Sequence, residues 1–298
     1  MRRWTAVALA GTLLVLCAGA AWAQAQDEAK AAVTKVIEDM VAAVNAGDAQ
    51  AFGALCHEGM VSVVPGPMGA DVYDLQALLG PMGIENKPAE PLAVNIEDVF
   101  IQSGMAFARA TLTQAGQKMT GLGAVALVQG AWKLVFTAII PPATADEAPG
   151  IQAAVRPIWE DIEAEGQTGM QAALNYLGDT PAVFALGLDN QVMVLSGRDA
   201  IQQTVSGWPP PADVALVGER TEILGSTVAA EIFDSAITNQ GQRRTLHNMV
   251  VLAQVGGQWK VVGFIVSFKP LPAQPAAPGP AAPEPPAAPE APAAPAAQ

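Results

Sequence analysis

Histidine, tyrosine and cysteine are scarce in this sequence, two of each in 298 residues. A metal centre needs several imidazole, thiolate or carboxylate ligands brought together, and no His-x-His, Cys-x-x-Cys or His-Glu-x-x-His spacing occurs. No glycine-rich phosphate loop is present either, so neither a metal nor a cofactor is expected. Basic residues are also few, 15 Lys and Arg against 28 Asp and Glu. An acidic surface of that size repels phosphate backbones and anionic lipid, which argues against nucleic-acid and membrane-surface binding.

The N-terminus has the features of a secretory signal peptide spanning residues 1–23. Arg2 and Arg3 precede an apolar run from Ala6 to Ala21, and Ala21-Trp22-Ala23 offers small residues at the cleavage positions. The run is shorter than the roughly 20 apolar residues that a membrane-spanning helix needs. Bulky Leu16 directly before Cys17 argues against lipidation there. Cleavage after Ala23 removes two basic residues and no acidic one, leaving 13 against 28 and a net charge of −15. It also leaves Cys56 as the one thiol, so no intramolecular disulfide can form and stability must come from core burial. The expected location is exported, either periplasmic or secreted, with no membrane attachment after cleavage.

What the sequence does have is a repeat. Thr245 to Ser267 reads as strand, Gly256-Gly257 turn and strand. Met119 to Ile139 reads the same way, with Gly130-Ala-Trp132-Lys133 standing where Gly257-Gln-Trp259-Lys260 stands later. Thr113-Gln-Ala-Gly-Gln-Lys118 likewise matches Thr238-Asn-Gln-Gly-Gln-Arg243. Two landmarks in the same order indicate duplication.

Helical periodicity covers Glu28 to Ala46 through Val33, Val36, Ile37, Met40, Val41 and Val44. Asp48 should cap a short helix to Leu55, a strand is expected over Met60 to Val64, and an amphipathic helix over Met68 to Gly83. Four strands with short connections follow, from Leu92 to Ile140. The second unit repeats the plan, with helices over Ile151 to Glu165, Thr168 to Leu177 and Asp199 to Val205, and six strands between Ala182 and Phe268. The expected organisation is a first domain over 27–141, a linker over 142–149, a second domain over 150–269 and a disordered tail over 270–298. That tail holds 11 prolines among alanines. Helices followed by a bent antiparallel sheet define an α+β class.

Each copy resembles the nuclear-transport-factor-2-like, or SnoaL-like, superfamily with its cystatin-like cone. The resemblance rests on Asn45-Ala-Gly-Asp48, Phe52-Gly-Ala-Leu55, Gly197-Arg-Asp-Ala-Ile201 and the late Gly-x-Trp-Lys strands at Trp132 and Trp259. It implies two tandem cone-shaped domains, each a strongly curved antiparallel sheet wrapped around N-terminal helices, with a pocket at the wide end. Relatives include isomerase-like, dehydratase-like and cyclase enzymes as well as proteins that only bind. Some secreted relatives carry a pocket-facing histidine on the last strand; Ile265 stands at that position here.

The chemistry available inside such cones is thin. Strand alternation puts His247 with Thr245, Met249 and Val251, and Glu231 with Ala229, Phe233 and Ser235, with Arg243 or Arg244 as a candidate ion-pair partner for Glu231 or Asp234. His247 as base, supported by Glu231 and by Tyr176 or Asp189, is the weak catalytic set; Asp189 is equally explained by a turn. The residues expected to line ligand sites are Trp159, Tyr176, Phe233, His247 and Met249 in the second copy, and Tyr73, Phe107 and Arg109 in the first. His57-Glu58 reads as a helix end, and Cys56 lacks an activating neighbour.

The leading expectation is an exported protein that binds a small apolar molecule or an envelope protein without catalysis. The alternative is an isomerase, dehydratase or cyclase acting in the second-copy pocket. A third possibility is that the copies pair sheet to sheet as an intrachain pseudo-dimer, or that whole chains form a homo-oligomer.

Overall fold

The computed structural model describes residues 2–80, 83–164, 169–178, 181–188, 191–207, 213–239 and 242–268. Asp189 and the tail from 270 lie outside the described residues. No helix among them is long and apolar enough to cross a membrane.

The first helix, α1 (Arg2–Ala46), starts well before Glu28 because no proline interrupts its alanine-rich first half. It stops at Gly47, whose φ of 67° closes the end: Gly47 N–H donates to Val44 and Asp48 N–H to Ala43 at 2.9 Å. Asp48 then caps α2 (Ala49–Leu55), its side chain accepting from Ala51 N–H at 2.8 Å.

Two expectations fail in the next stretch. β1 runs Cys56–Gly66, so Cys56, His57 and Glu58 stand in a strand and not at a helix end. The helix expected over Met68 to Gly83 divides into β2 (Gly69–Asp74) and a short α3 (Leu75–Leu79) capped by Asp74. The physical reason is the turn at Gly66–Gly69, which folds Val72 and Tyr73 back to pair with Val63 and Ser62 of β1. Strands β3 (Ala93–Gln102), β4 (Met105–Gln114), β5 (Gln117–Val128) and β6 (Ala131–Ile140) complete the first unit.

The second unit comprises α4 (Ala148–Ala164), α5 (Gly169–Tyr176), β7 (Val183–Leu188), β8 (Gln191–Ser196), α6 (Arg198–Val205), β9 (Asp213–Leu224), β10 (Val228–Asn239), β11 (Gln242–Val255) and β12 (Gln258–Phe268). The sheets have the same order, β2-β1-β6-β5-β4-β3 and β8-β7-β12-β11-β10-β9, with the first strand of each parallel to the last. The hairpins at Gln129-Gly130 and Gly256-Gly257 both place two residues at positive φ, as a tight two-residue turn requires. This is an α+β architecture of two tandem units, each with helices on one face of a curved sheet.

Three apolar layers result. Val33, Ile37, Phe52, Met60, Leu75, Leu78, Val125 and Leu134 fill the helix-covered side of the first sheet. Val155, Trp159, Leu174, Phe184, Ile201, Phe233, Val250 and Phe264 fill that of the second. The remaining two faces meet each other through Met105, Phe107, Phe136, Val183, Met249 and Ile265.

That middle layer is asymmetric in a systematic way. Register places Phe136 beside Val61 and Gly263 beside Val183, so these residues are counterparts, and the Phe136 ring lies where a Gly263 Cβ would come within 2.8 Å of it. By the same logic Ala138 corresponds to Ile265, Ala124 to Val251 and Phe107 to Ala230. At each of these four positions one copy carries the larger side chain and the other the smaller, while Leu122 and its counterpart Met249 are both large.

Candidate functional site

The second copy carries a charged cluster between α4 and the β9–β10 edge. Glu222 and Glu231 sit directly opposite each other in neighbouring strands, an unfavourable pairing unless cations bridge it. Arg156 and Arg220 supply them. Arg156 pairs with Glu222 and lies 3.4 Å from Glu231; Arg220 pairs with Glu163 and its Nε lies 2.9 Å from Glu231. Arg156, Trp159 and Glu163 share one face of α4 by their spacing, and the Arg156 guanidinium stands 5.8 Å from the Trp159 ring centre.

The cluster holds three carboxyls against two guanidiniums, and the most enclosed carboxyl, fully buried Glu231, takes up the imbalance. Burial pushes its pKa from 4.5 up to about 7, the adjacent Glu163 adds to the rise, and Arg220 and Arg156 pull it back. The folded state therefore holds this proton more tightly than the unfolded chain. The resulting stability is complete below pH 4.5 and is lost as pH rises through 7, amounting to on the order of 3 kcal/mol. Glu231→Gln should flatten that slope, read as a Tm that no longer falls between pH 5 and 8 relative to the parent chain.

His247 does not join Glu231. It lies on the opposite face of the second sheet, where its Nδ1 is 2.6 Å from Asp234 Oδ1 and its ring is 4.2 Å from that of Phe100 and 4.8 Å from that of Phe107. The imidazole thus wedges against two phenylalanines of the first copy. Met249, Phe107 and Ile265 share this layer between the sheets, so none of them faces a helix-covered interior. Arg109 is exposed and paired with Glu97 at 3.2 Å.

Trp159 and Phe233 do lie on the helix-covered side of the second sheet, packed into hydrocarbon, with Tyr176 against them. The Tyr176 hydroxyl donates to Asp161, and Tyr73 packs on the first copy's core with its hydroxyl 3.4 Å from Asp71. Burial, reinforced by Asp71, raises the Tyr73 pKa. The expected ligand residues are therefore spread over three separate layers. Arg244 stands 5.7 Å from the Phe268 ring centre, and the guanidiniums that meet Glu231 are Arg156 and Arg220. Burial pushes the Cys56 thiol up to about 12, with Lys133 opposing weakly, which leaves no thiolate at neutral pH. Burial lowers the pKa of His57, Glu58 opposing, and its Nδ1 accepts from Gly59 N–H at 3.0 Å.

An open cleft of about 510 Å³ lies at the β11–β12 hairpin end of the second copy. Its walls are Asn175 in the last turn of α5, Leu177 and Gly178 just after it, Arg198 at the start of α6, and Val255, Gln258 and Lys260 of the hairpin. Its lining is largely polar, and none of the residues expected to line ligand sites is part of it. No group of His, Cys, Asp and Glu suited to a metal ion occurs among the described residues.

No protein-family model matches the chain, and no curated protein matches it. Solved structures similar to part of it include an NTF2-like protein of unknown function from Silicibacter pomeroyi DSS-3. That match is 22% identical and covers 38% of this chain and 96% of that one, with a TM-score of 0.35. A cystatin-like fold protein from Burkholderia xenovorans LB400 is 22% identical over 42% of this chain and 95% of its own, with a TM-score of 0.34. A putative ketosteroid isomerase from Parabacteroides distasonis ATCC 8503 is 11% identical over 43% and 94%, with a TM-score of 0.34.

Proposed function

We propose that this chain, two NTF2-like, cystatin-like cones in tandem, is an exported binding protein in which the first copy serves as scaffold and the second takes up a small ligand. The observation that carries the reading is the difference between equivalent positions of the two copies. In the first, Lys133 reaches the Ala54 carbonyl in the last turn of α2, where a cation favours the helix end. In the second, the equivalent Lys260 lines an open cleft.

The test is native mass spectrometry of the full chain purified from its own cell envelope, together with thermal shifts across a small-molecule collection. A co-purifying small molecule, or ligands that raise Tm and shift backbone amides of the second copy only, would support the reading. Saturating responses confined to the first copy, or none at all, would overturn it. Export carries its own measurement: the mature protein from the envelope fraction should begin at Gln24.

A second reading is proton-transfer catalysis of the isomerase or dehydratase kind, favoured by a Glu231 carboxyl that exchanges its proton near neutrality. Against it stand the complete enclosure of Glu231 and its two arginine neighbours. Solvent exchange at the α-carbon of small ketones, abolished by Glu231→Gln, is the result that would favour catalysis over binding.

A further inference from the structure

We propose that Glu163 and Glu231 hold one proton between them, that this proton latches the second half of α4 onto the β9–β10 edge, and that its loss to solvent lets that half lift from the sheet. The latch belongs to the fold of the second copy and holds whether or not a ligand enters it.

Hydrogen-bond donors run short in this cluster. Both guanidiniums that reach Glu231 meet the same oxygen, Arg156 at 3.4 Å and Arg220 at 2.9 Å from Oε1. Arg220 also pairs with Oε2 of Glu163, and Arg156 with Glu222. That leaves Oε2 of Glu231 and Oε1 of Glu163 enclosed, with no N–H or O–H reaching them from any described residue. The two carboxyls nevertheless lie within hydrogen-bond reach of each other. Ionised carboxyls only accept, so a bond between them needs a proton on one, and that bond is of the strong, charge-assisted kind.

Charge points the same way. The titratable and charged groups facing Glu231 are Arg156 and Glu163 from α4 and Arg220 and Glu222 from β9, while β11 sets Val250 opposite it. With the proton in place, two carboxylates stand against two guanidiniums. Without it the surplus negative charge is enclosed, and Glu163 and Glu231 repel each other away from water. Glu222 and Glu231 are fixed by their strand ladders. Glu163 stands on a helix, so α4 is the element free to respond.

That helix is built to divide. Pro157 stands inside α4 and has no N–H, so the Ala153 carbonyl one turn earlier loses its helical partner. Both residues face solvent, where a bend meets no obstacle. Before the proline, Arg156 ties the first half to Glu222; after it, Trp159, Ile162 and Glu163 cover the sheet. The Trp159 indole N–H is enclosed without an acceptor, an unmade hydrogen bond that lifting relieves. The closed position therefore depends on the proton more than its apolar contacts alone would suggest.

Hydrogen exchange of the full chain from pH 5 to pH 9, corrected for the intrinsic rate of each amide, tests the latch. The closed form keeps the proton up to about pH 7, whereas with α4 lifted the Glu231 carboxyl returns toward its ordinary value of 4.5. Lifting then releases a proton, so its equilibrium constant should rise about tenfold per pH unit from pH 5 to pH 7 and level off above. The amides of residues 158–163 should lose protection by about 100-fold over that interval, and at every pH they should exchange ahead of the amides of β11 and β12. Glu163→Gln and Glu231→Gln should each abolish the slope, because an amide N–H takes the place of the shared proton. Glu160→Gln, which alters an exposed carboxyl of the same helix, should leave it intact. A flat profile in the parent chain overturns the proposal, as does exchange of α4 in step with β11, which would mean that the cluster breaks only when the whole unit unfolds. A slope that survives Glu163→Gln assigns the proton to Glu231 alone and removes the latch.

Discussion

Replacing Arg220 by leucine should be among the most damaging single changes to this chain, costing about 3–5 kcal/mol at pH 8. The substitution leaves Glu163, Glu222 and Glu231 gathered around Arg156 alone, with Glu231 fully buried. Two excess carboxyls must then take up protons or lose their enclosure. The pH dependence separates this cause from lost packing: because protonated carboxyls need no partner, the deficit should shrink by about half or more at pH 5. Urea unfolding at both pH values, with the slope unchanged, is the measurement. A deficit equal at pH 5 and pH 8 would assign the damage to lost contacts of the arginine stem. Glu231→Gln is the counterpart. It removes the surplus carboxyl and leaves two carboxylates with two guanidiniums, so at pH 8 it should cost little or raise stability.

The same cluster illustrates what could be read from the residues in advance. Strand alternation correctly separated Glu231 from Asp234 onto opposite faces, because a two-residue period leaves no freedom once the strand is assigned. Choosing the cations was another matter. Arg243 and Arg244 were near in sequence, whereas Arg156 and Arg220 arrive through packing of α4 on the sheet and through the β9–β10 register. The readable clue was the Arg156, Trp159, Glu163 spacing, a polar stripe on an otherwise apolar helix face. His247 failed for a related reason: alternation shows which residues share a face but not which face the helices cover. Its neighbours Met249 and Val251 belong to the layer between the sheets. The Met68 to Gly83 stretch misled because Val72, Leu75, Leu78 and Leu79 fit a helical period, while the return at Gly66–Gly69 made a strand of its first half. The duplicated plan itself was legible, since hairpin turns and tryptophan landmarks are local signals that packing does not rewrite.

The meeting of the two sheets yields the second large expectation. Phe136 is fully buried, so Phe136→Ala should cost about 3–5 kcal/mol through lost burial and the space it leaves. Gly263→Phe should be at least as harmful, since its Cβ alone would meet the Phe136 ring at 2.8 Å in a layer with no room to yield. Gly263 does not occupy the left-handed region, so the glycine is required by space and not by backbone conformation. The two positions are counterparts across the copies, which makes the exchange variant informative. With Phe136→Gly and Gly263→Phe combined, the ring enters the same layer from the other sheet. The pair should recover several kcal/mol relative to the sum of the single changes. Additive losses in the exchange variant would mean that Phe136 is held by its own sheet rather than by the hollow opposite. Recovery would establish large-against-small matching as what joins the copies. It would also explain why neither face suits a second copy of itself: Phe136 against Phe136 overfills the contact, and Gly263 against Gly263 leaves it empty.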